Sequence, residues 1–251
     1  MIQHKDSGII IRGRDFFEAD KILTILTGKR GKIRAIAKGI RKPTAKLAGN
    51  LELFSYSNLI LIEGRNLEIV ASAEIIESFK NIKKDLKKTS AAFIICELLD
   101  KLLNEKESQR RVFFQTLAAF HKLNSSEGLD LKLIIDYFMI NILAILGYRP
   151  EIKKCQNCPK PITAKNNYFS IKHSSVVCPG CAAKEDFVVP ISLENLKIIK
   201  LFLEHDIDVL DRIRPKNLSQ LNLFLEMYIE NISEKKLKSS KFFNMVNQRQ
   251  E

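Results

Sequence analysis

Cys155 and Cys158 in "CQNC", and Cys178 and Cys181 in "CPGC", form two C-x2-C pairs with 19 residues between them. Zinc takes four soft ligands at tetrahedral corners, and a two-residue spacing lets one tight turn aim two thiolates at the same ion. Two pairs at this separation match the spacing of a zinc ribbon or treble-clef-like site, so one Zn²⁺ on these four thiolates is the expectation. Reduced buried thiols without metal, or a redox pair, are the alternatives. With cysteine at every corner no position is open to water or substrate, and the predicted role is structural: the ion holds a loop-rich insert with too few apolar residues to hold itself. Pro159 predicts a distorted first turn, because the position after such a turn often suits a glycine at positive φ, which proline cannot adopt. His173, in "SIKHSSVVC", is the candidate substitute ligand, although a lone loop histidine is read first as solvent-exposed. Cys96 falls at an apolar helical position and is read as core.

The second chemical feature is a run of cations. "KRGKIRAIAKGIRKPTAK", residues 29–46, carries eight Lys or Arg and no Asp or Glu: Lys29, Arg30, Lys32, Arg34, Lys38, Arg41, Lys42 and Lys46. The formal charge of the chain is +12, and residues 1–50 hold 12 basic against four acidic residues, a net +8. So concentrated a field attracts polyanions, which puts nucleic acid or an anionic membrane surface first among partners. No basic amphipathic helix stands at either end, which argues against the membrane. Strand alternation sends Lys32 and Arg34 to one face, and the loop after Ala37 carries Lys38, Arg41, Lys42 and Lys46. Phe16, Phe17, Phe54 and Tyr56 share the same region; at least two of them are expected in the core, with Phe16 or Tyr56 the expected exposed ring for base stacking.

Enzymatic chemistry finds little to work with. The four histidines, His4, His121, His173 and His205, are scattered, and no G-x-S-x-G, H-E-x-x-H, P-loop or G-x-G-x-x-G sequence occurs. The carboxylates of "EADK" (Glu18 to Lys21) are read as strand-end charge in preference to a Mg²⁺ site. The chain is read as a binder, not an enzyme, with no small-molecule substrate. The start has only a four-residue apolar run, Gly8 to Ile11, which indicates no export signal. The longest uncharged apolar segment, Tyr137 to Tyr148, is 12 residues and too short to span a membrane. A reducing, cytoplasmic setting is expected.

These residues need elements to position them. Strand-like patterns occupy Gly8 to Arg12, Lys21 to Leu26, Lys32 to Ala37, Leu51 to Ile62 and Leu67 to Ile76, with glycines between them for turns. Five strands in so short a span predict a small barrel of the kind that binds oligonucleotides in the OB-fold. After the basic connector Ser78 to Lys88 the period becomes helical. Thr89 or Ser90 is the expected cap of a helix carrying Phe93, Cys96, Leu99 and Leu103 on one face; Ser108 starts the next, and Leu129 to Leu146 is the central helix. Ser192 and the Pro215 to Asn217 region precede two further amphipathic runs, Leu193 to Leu203 and Leu218 to Ile229.

In this order the residues resemble the bacterial RecO family of recombination mediators. The likeness rests on "GIIIRGRDFFEADKILTILTGKRGKIRAIAKGIRKP", on "LGYRPEIKKCQNC" leading into the cysteine insert, and on "KKLKSSKFF" near the end. The resemblance implies an α+β multidomain chain: an N-terminal OB-fold barrel (1–79), a mainly α-helical domain in two parts (80–150 and 191–251), and a small zinc-binding insert (151–190). It further implies binding of single- and double-stranded DNA through the eight basic residues, annealing of complementary strands, and work with RecR to load RecA onto DNA covered by single-strand binding protein (SSB), near the nucleoid. Family members commonly have glycine after the first cysteine pair and Gly-Gly before the second, where this chain has Pro159 and His173-Ser174-Ser175.

Contact with the acidic, Phe-ended tail of SSB is also implied, and Lys235, Lys236, Lys238 and Lys241 with Phe242 and Phe243 have the character of such a site. The competing reading is a zinc-stabilised helical scaffold, or an RNA-binding protein with no annealing activity.

Overall fold

The computed structural model describes residues 2–160, 162, 167–215 and 218–248. The chain forms two compact units, residues 1–125 with 237–251, and residues 126–236.

The first unit opens with five strands: β1 (Gln3–Phe16), β2 (Asp20–Thr27), β3 (Gly31–Ala37), β4 (Tyr56–Ile62) and β5 (Glu68–Glu77). They close into a barrel in the order β1-β2-β3-β5-β4, with β3 and β5 parallel and β1 meeting β4. That closure and order are those of an OB-fold. β1 is long enough to serve two neighbours: Gln3 to Ile9 pair with β4, and Gly8 to Phe16 pair with β2. A register shift between Ile10 and Arg12 marks a bulge that bends β1 from one partner to the other. Period-two alternation sends Ile10, Leu23, Ile25, Ile33, Ala35, Leu59, Leu61 and Val70 inward, where they form one buried cluster. Leu51 in this cluster belongs to a short 3-10 turn, Gly49–Leu51, so the segment expected as strand from Leu51 begins pairing at Tyr56.

Three helices follow in this unit, α1 (Lys80–Lys84), α2 (Leu86–Leu102) and α3 (Arg110–Ser125). The cap of α2 is Asp85, not Thr89 or Ser90: its carboxylate accepts from the N–H groups of Lys87 at 2.8 Å and Lys88 at 3.2 Å. The two hydroxyls are engaged elsewhere, Thr89 donating to the Ile82 carbonyl and Ser90 to the Lys87 carbonyl. On the predicted apolar face Cys96, Leu99 and Leu103 are buried, while Phe93 lies at the surface. α3 begins two residues after Ser108. Phe54, Phe79 and Phe120 make edge-on contacts beneath these helices, with centroids 5.4 Å apart for Phe79 and Phe120. The C-terminal helix of the chain also packs on α2 and is described with its cap below.

The second unit is built on α4 (Leu131–Ile145), capped by Asp130 and buried almost all round. Next come the strands β6 (Asn167–Ser170) and β7 (Ser175–Val177), the short helix α5 (Pro179–Ala182) and β8 (Val188–Ile191), a three-stranded sheet in the order β7-β6-β8. α6 (Leu193–Glu204) is capped by Ser192, which accepts from Asn195 N–H at 3.0 Å, and α7 (Ser219–Ser233) completes the unit. α4 packs on both α6 and α7. The expected helix signal at Pro215 to Asn217 lies in part outside the described residues, Lys216 and Asn217 being beyond them. Phe169 of β6 is fully buried against Phe224 and Tyr228 of α7, which ties the cysteine-bearing segment to the helices. Last in the chain is α8 (Ser239–Gln248), which belongs to the first unit.

Candidate nucleic-acid interface and metal centre

β2 and β3 form a hairpin with Thr27 facing Gly31 at one end and Lys21 facing Ala37 at the other, about 20 Å away for a strand of this length. The hairpin separates the basic run into groups. Lys29 and Arg30 sit on the β2–β3 turn, Lys32 and Arg34 on the outer face of β3 as alternation requires, and Lys38, Arg41, Lys42 and Lys46 on the segment beyond it.

The first group is largely committed to the fold. Arg30 makes a two-pronged pair with the buried Glu68 carboxylate, one arm at 2.7 Å. Arg34 pairs with Glu105 at 2.6 Å. Lys32 is covered: its ammonium lies 3.7 Å from the Asp100 carboxylate and donates to the Asp100 carbonyl. Burial pushes the Lys32 ammonium below its ordinary pKa, and Asp100 and Glu105 oppose the shift. The segment after α2 closes over this spot, Lys106 N–H donating to the Lys32 carbonyl at 2.8 Å. Gly31 makes the approach feasible, because a Cβ there would stand 1.8 Å from the Glu107 carbonyl oxygen.

The cations of the loop beyond β3 face solvent instead. Residues 39–48 wind through successive turns, Lys42 N–H bonding to the Gly39 carbonyl and Ala45 N–H to the Lys42 carbonyl. Ile40 is buried in the barrel cluster and Leu47 and Ala48 pack against it, so the apolar residues hold the loop down while the cations between them point out. Lys38, Arg41, Lys42 and Lys46 are exposed, and so is Lys29. Arg41 is shared, 3.4 Å from Asp15. Among the described residues, no carboxylate pairs with the ammonium of Lys29, Lys38, Lys42 or Lys46.

The exposed ring is neither Phe16 nor Tyr56. Both are half-buried, Tyr56 edge-on to Phe113 at 5.9 Å, and Phe54 is core; Phe17, at the tip of the β1–β2 hairpin, is 78% exposed. The hairpin puts residue 17 at φ 49, which turns the ring outward, and no local sequence signal marks this for a phenylalanine. Asp20 of "EADK" has a structural task, accepting from Gly39 N–H at 2.7 Å.

The second candidate is a metal centre. The Sγ atoms of Cys155, Cys158, Cys178 and Cys181 all lie within 4.8 Å of one another. A tetrahedral ion bonded to sulfur at ~2.3 Å holds its ligands ~3.8 Å apart, and Cys158 and Cys178 Sγ are 3.7 Å apart. The donor set therefore fits one metal ion. Backbone N–H groups aim at the sulfurs: Cys178 N–H donates to Cys155 Sγ at 3.4 Å, and Lys160 N–H to Cys158. Burial alone would raise the Cys155 thiol, but the N–H groups of Cys178 and Asn157 and the neighbouring thiols bring it down to about 6. Cys181 is pushed up to about 12, first by its bond to Cys178. Thiols this close do not all ionise together unless a cation sits among them, and a divalent ion bound there would supply a cross-link.

With Pro159 after the first pair the four sulfurs still converge, and Lys160 supplies the N–H that Cys158 accepts. His173 is no part of the cluster; its backbone N–H is 3.4 Å from the Ser170 hydroxyl. Cys96 is core as expected, its thiol pushed up by burial.

The four C-terminal lysines are all exposed. Lys235 and Lys236 end the second unit, whereas Lys238 and Lys241 stand at the start of α8 in the first. Sequence reasoning missed what fixes α8: the Glu97 carboxylate accepts from Lys238 N–H at 3.0 Å, Ser239 N–H at 2.7 Å and the Ser239 hydroxyl at 2.5 Å. Beside this cap is a cavity of about 660 Å³ lined by Phe93, Phe242, Arg12, Lys101 and Lys238 among others. Phe242 meets Phe93 edge-on and Phe243 is buried.

Residues 1–79 match the model of the family described as "Recombination protein O N terminal", and residues 83–241 the one described as "Recombination protein O C terminal". The chain belongs to the RecO family. It is 34% identical over 237 residues to the DNA repair protein RecO of Dehalococcoides mccartyi strain 195, covering 94% of this chain and 92% of that one. The RecO of Roseiflexus sp. is 33% identical over 247 residues, covering 98% and 86%, and that of Bacillus pumilus 30% over 244 residues, covering 96% and 94%. The resemblance read from the sequence is thus borne out, as are the OB-type barrel and the four-cysteine cluster. A role in DNA repair and recombination follows from RecO membership. Among the described residues no helix is long and apolar enough to cross a membrane.

Proposed function

We propose that this RecO-family chain is a recombination mediator that binds single- and double-stranded DNA on the barrel, anneals complementary strands and, with RecR, helps load RecA onto SSB-coated single strands. The observation that carries the reading is the loop of residues 38–46, where Lys38, Lys42 and Lys46 stand exposed, without carboxylate partners among the described residues, on a backbone pinned by Ile40 and Leu47. Each phosphate neutralised there releases counterions, so binding falls steeply with salt and reads little sequence. Annealing needs no covalent step: two strands held on one cationic surface repel each other less, and their base edges stay free to pair. The protein acts as a binder and not as an enzyme.

Lys29, Arg30, Lys32 and Arg34 take a secondary part. Arg30, Lys32 and Arg34 shape the strand that carries the loop, and Lys29 extends the positive field at its far end. The metal of the cysteine cluster is zinc, given an all-thiolate donor set, and its role is to stabilise the insert. The acidic, Phe-ended tail of SSB is assigned to the α8 region: the cavity beside Lys238 offers aromatic walls and cations, with Lys241 on the same helix. The compartment is the cytoplasm, at the nucleoid.

The test is fluorescence anisotropy of a labelled single strand across a salt series, with the wild type beside a Lys38→Glu, Arg41→Glu, Lys42→Glu variant. Loss of both affinity and salt slope in the variant is the expected result. Equal binding by the two proteins, or none by either, overturns the reading in favour of a zinc-stabilised scaffold.

A further inference from the structure

Phe17 is a large apolar side chain that the barrel does not use. Its ring is 78% exposed, and its backbone sits at φ 49, in the left-handed region that favours glycine and that phenylalanine rarely adopts. A strained residue whose side chain contributes so little to the core points toward a ligand.

The position is built and not frayed. Arg41 N–H donates to the Ala19 carbonyl at 2.9 Å, and Gly39 N–H donates to the Asp20 carboxylate at 2.7 Å. The Arg41 guanidinium reaches the Phe17 carbonyl at 3.5 Å and Asp15 at 3.4 Å. These bonds join the tip of the β1–β2 hairpin to the basic loop, so the ring is carried by the same rigid piece as Lys38, Arg41 and Lys42. Phe16 supports it from below, with ring centroids 4.2 Å apart and planes tilted by 58°.

We propose that Phe17 is a base-stacking residue for a single strand whose phosphates lie on Lys38, Arg41 and Lys42. The assignment rests on reading that loop as a phosphate track. An unpaired base has a free π-face to lay on the ring, while bases inside a duplex already stack on one another. Phe17 therefore confers a preference for single strands that cations alone cannot give, since phosphates are present in both forms.

Two variants of the full chain test it. Phe17→Gly removes the ring and places at φ 49 the residue most at ease there, so the fold does not suffer. Phe17→Trp inserts an indole into a chain that contains no tryptophan, so its emission reports on position 17 alone. With an oligothymidine strand and a blunt duplex as probes, Phe17→Gly is expected to bind the strand about 5- to 100-fold more weakly, with unchanged duplex affinity and salt slope. Phe17→Trp emission is expected to be quenched by the strand and not by the duplex. If the wild type binds the strand with a steep salt slope and Phe17→Gly matches it, loses strand and duplex equally, or the indole is not quenched, stacking is overturned and the phosphate track stands. A wild type that binds neither probe in a salt-dependent way overturns the track, and the stacking role with it.

Discussion

The Lys32 ammonium lies 3.7 Å from the Asp100 carboxylate and donates to the Asp100 carbonyl at 2.5 Å, joining β3 to the last turn of α2. Six residues along the chain, Lys38 is exposed and has no such partner among the described residues. Two lysines of the same basic run therefore do different work. Lys32→Met is expected to destabilise the first unit by about 1–3 kcal/mol, because it removes the buried ammonium that bonds the Asp100 carbonyl and lies beside its carboxylate, which then keeps, among the described residues, only the Arg12 guanidinium at 2.7 Å. Lys38→Glu is expected to change stability by less than about 0.5 kcal/mol and to weaken DNA binding. Urea unfolding and anisotropy on the two variants check both halves.

Counting phosphates refines this. Reversing Lys38, Arg41 and Lys42 removes three cations from the loop, and single-strand binding changes its salt slope by about 0.7 per phosphate contact, so the slope is expected to fall by about 2. Reversing Arg30 and Arg34 is expected to lower stability, through Glu68 and Glu105, before it lowers the slope.

Glu97 caps α8, and its ionisation decides whether the cap holds. Burial would raise its pKa, but the ammonium of Lys101, the Ser239 hydroxyl and the N–H groups of Lys238 and Ser239 bring it down to about 2. A carboxyl depressed in the fold contributes stability that is complete above its unfolded value near 4.5 and is lost as the pH falls toward 2. Hydrogen exchange in α8 is expected to accelerate across that window. Glu97→Ala should bring the same acceleration to neutral pH, at about 1–2 kcal/mol of helix docking.

Much of this molecule is legible in its sequence where a signal is local. β3 reads as a strand because Ile33, Ala35 and Ala37 alternate with Lys32 and Arg34, and the barrel needs that alternation. The cysteine pairs read as one site because each turn is only four residues long. What was not legible depends on distant partners or on competition between nearby signals. Nothing near Arg30, Lys32 and Arg34 tells that Glu68, Asp100 and Glu105 will pair with them. The start of α2 is ambiguous in the sequence because Asp85, Thr89 and Ser90 all offer caps, and only the packing that gives Thr89 the Ile82 carbonyl resolves the choice. The exposure of Phe17 carries no local signal, because hairpin geometry, not residue preference, sets its φ.

Removing the metal should act locally. The purified protein is expected to carry about one zinc per chain, and Cys155→Ser or Cys178→Ser to carry far less. Chelation at neutral pH is expected to expose the segment from Cys155 to Cys181 to protease. DNA affinity on the barrel, which lies in the other unit, should stay within about twofold of the untreated protein. Metal analysis and mass-mapped proteolysis check the two parts.

Asp136 is a buried carboxyl with half a partner: Asn222 donates to one oxygen at 2.9 Å, while the other has no hydrogen-bond partner among the described residues. Burial pushes its pKa well above the ordinary value, more than the Asn222 bond brings it down. The fold therefore holds a proton that the unfolded chain releases near pH 4, so stability falls as the pH rises above that value until the folded carboxyl itself ionises. Asp136→Asn keeps the shape and the acceptor for Asn222 and removes the titration. The variant is expected to match the wild type below about pH 4 and to become the more stable as the pH rises, by at least about 1–3 kcal/mol at pH 8. Thermal melts of both proteins across that range decide it: parallel curves would mean that Asp136 ionises in the fold as it does in water.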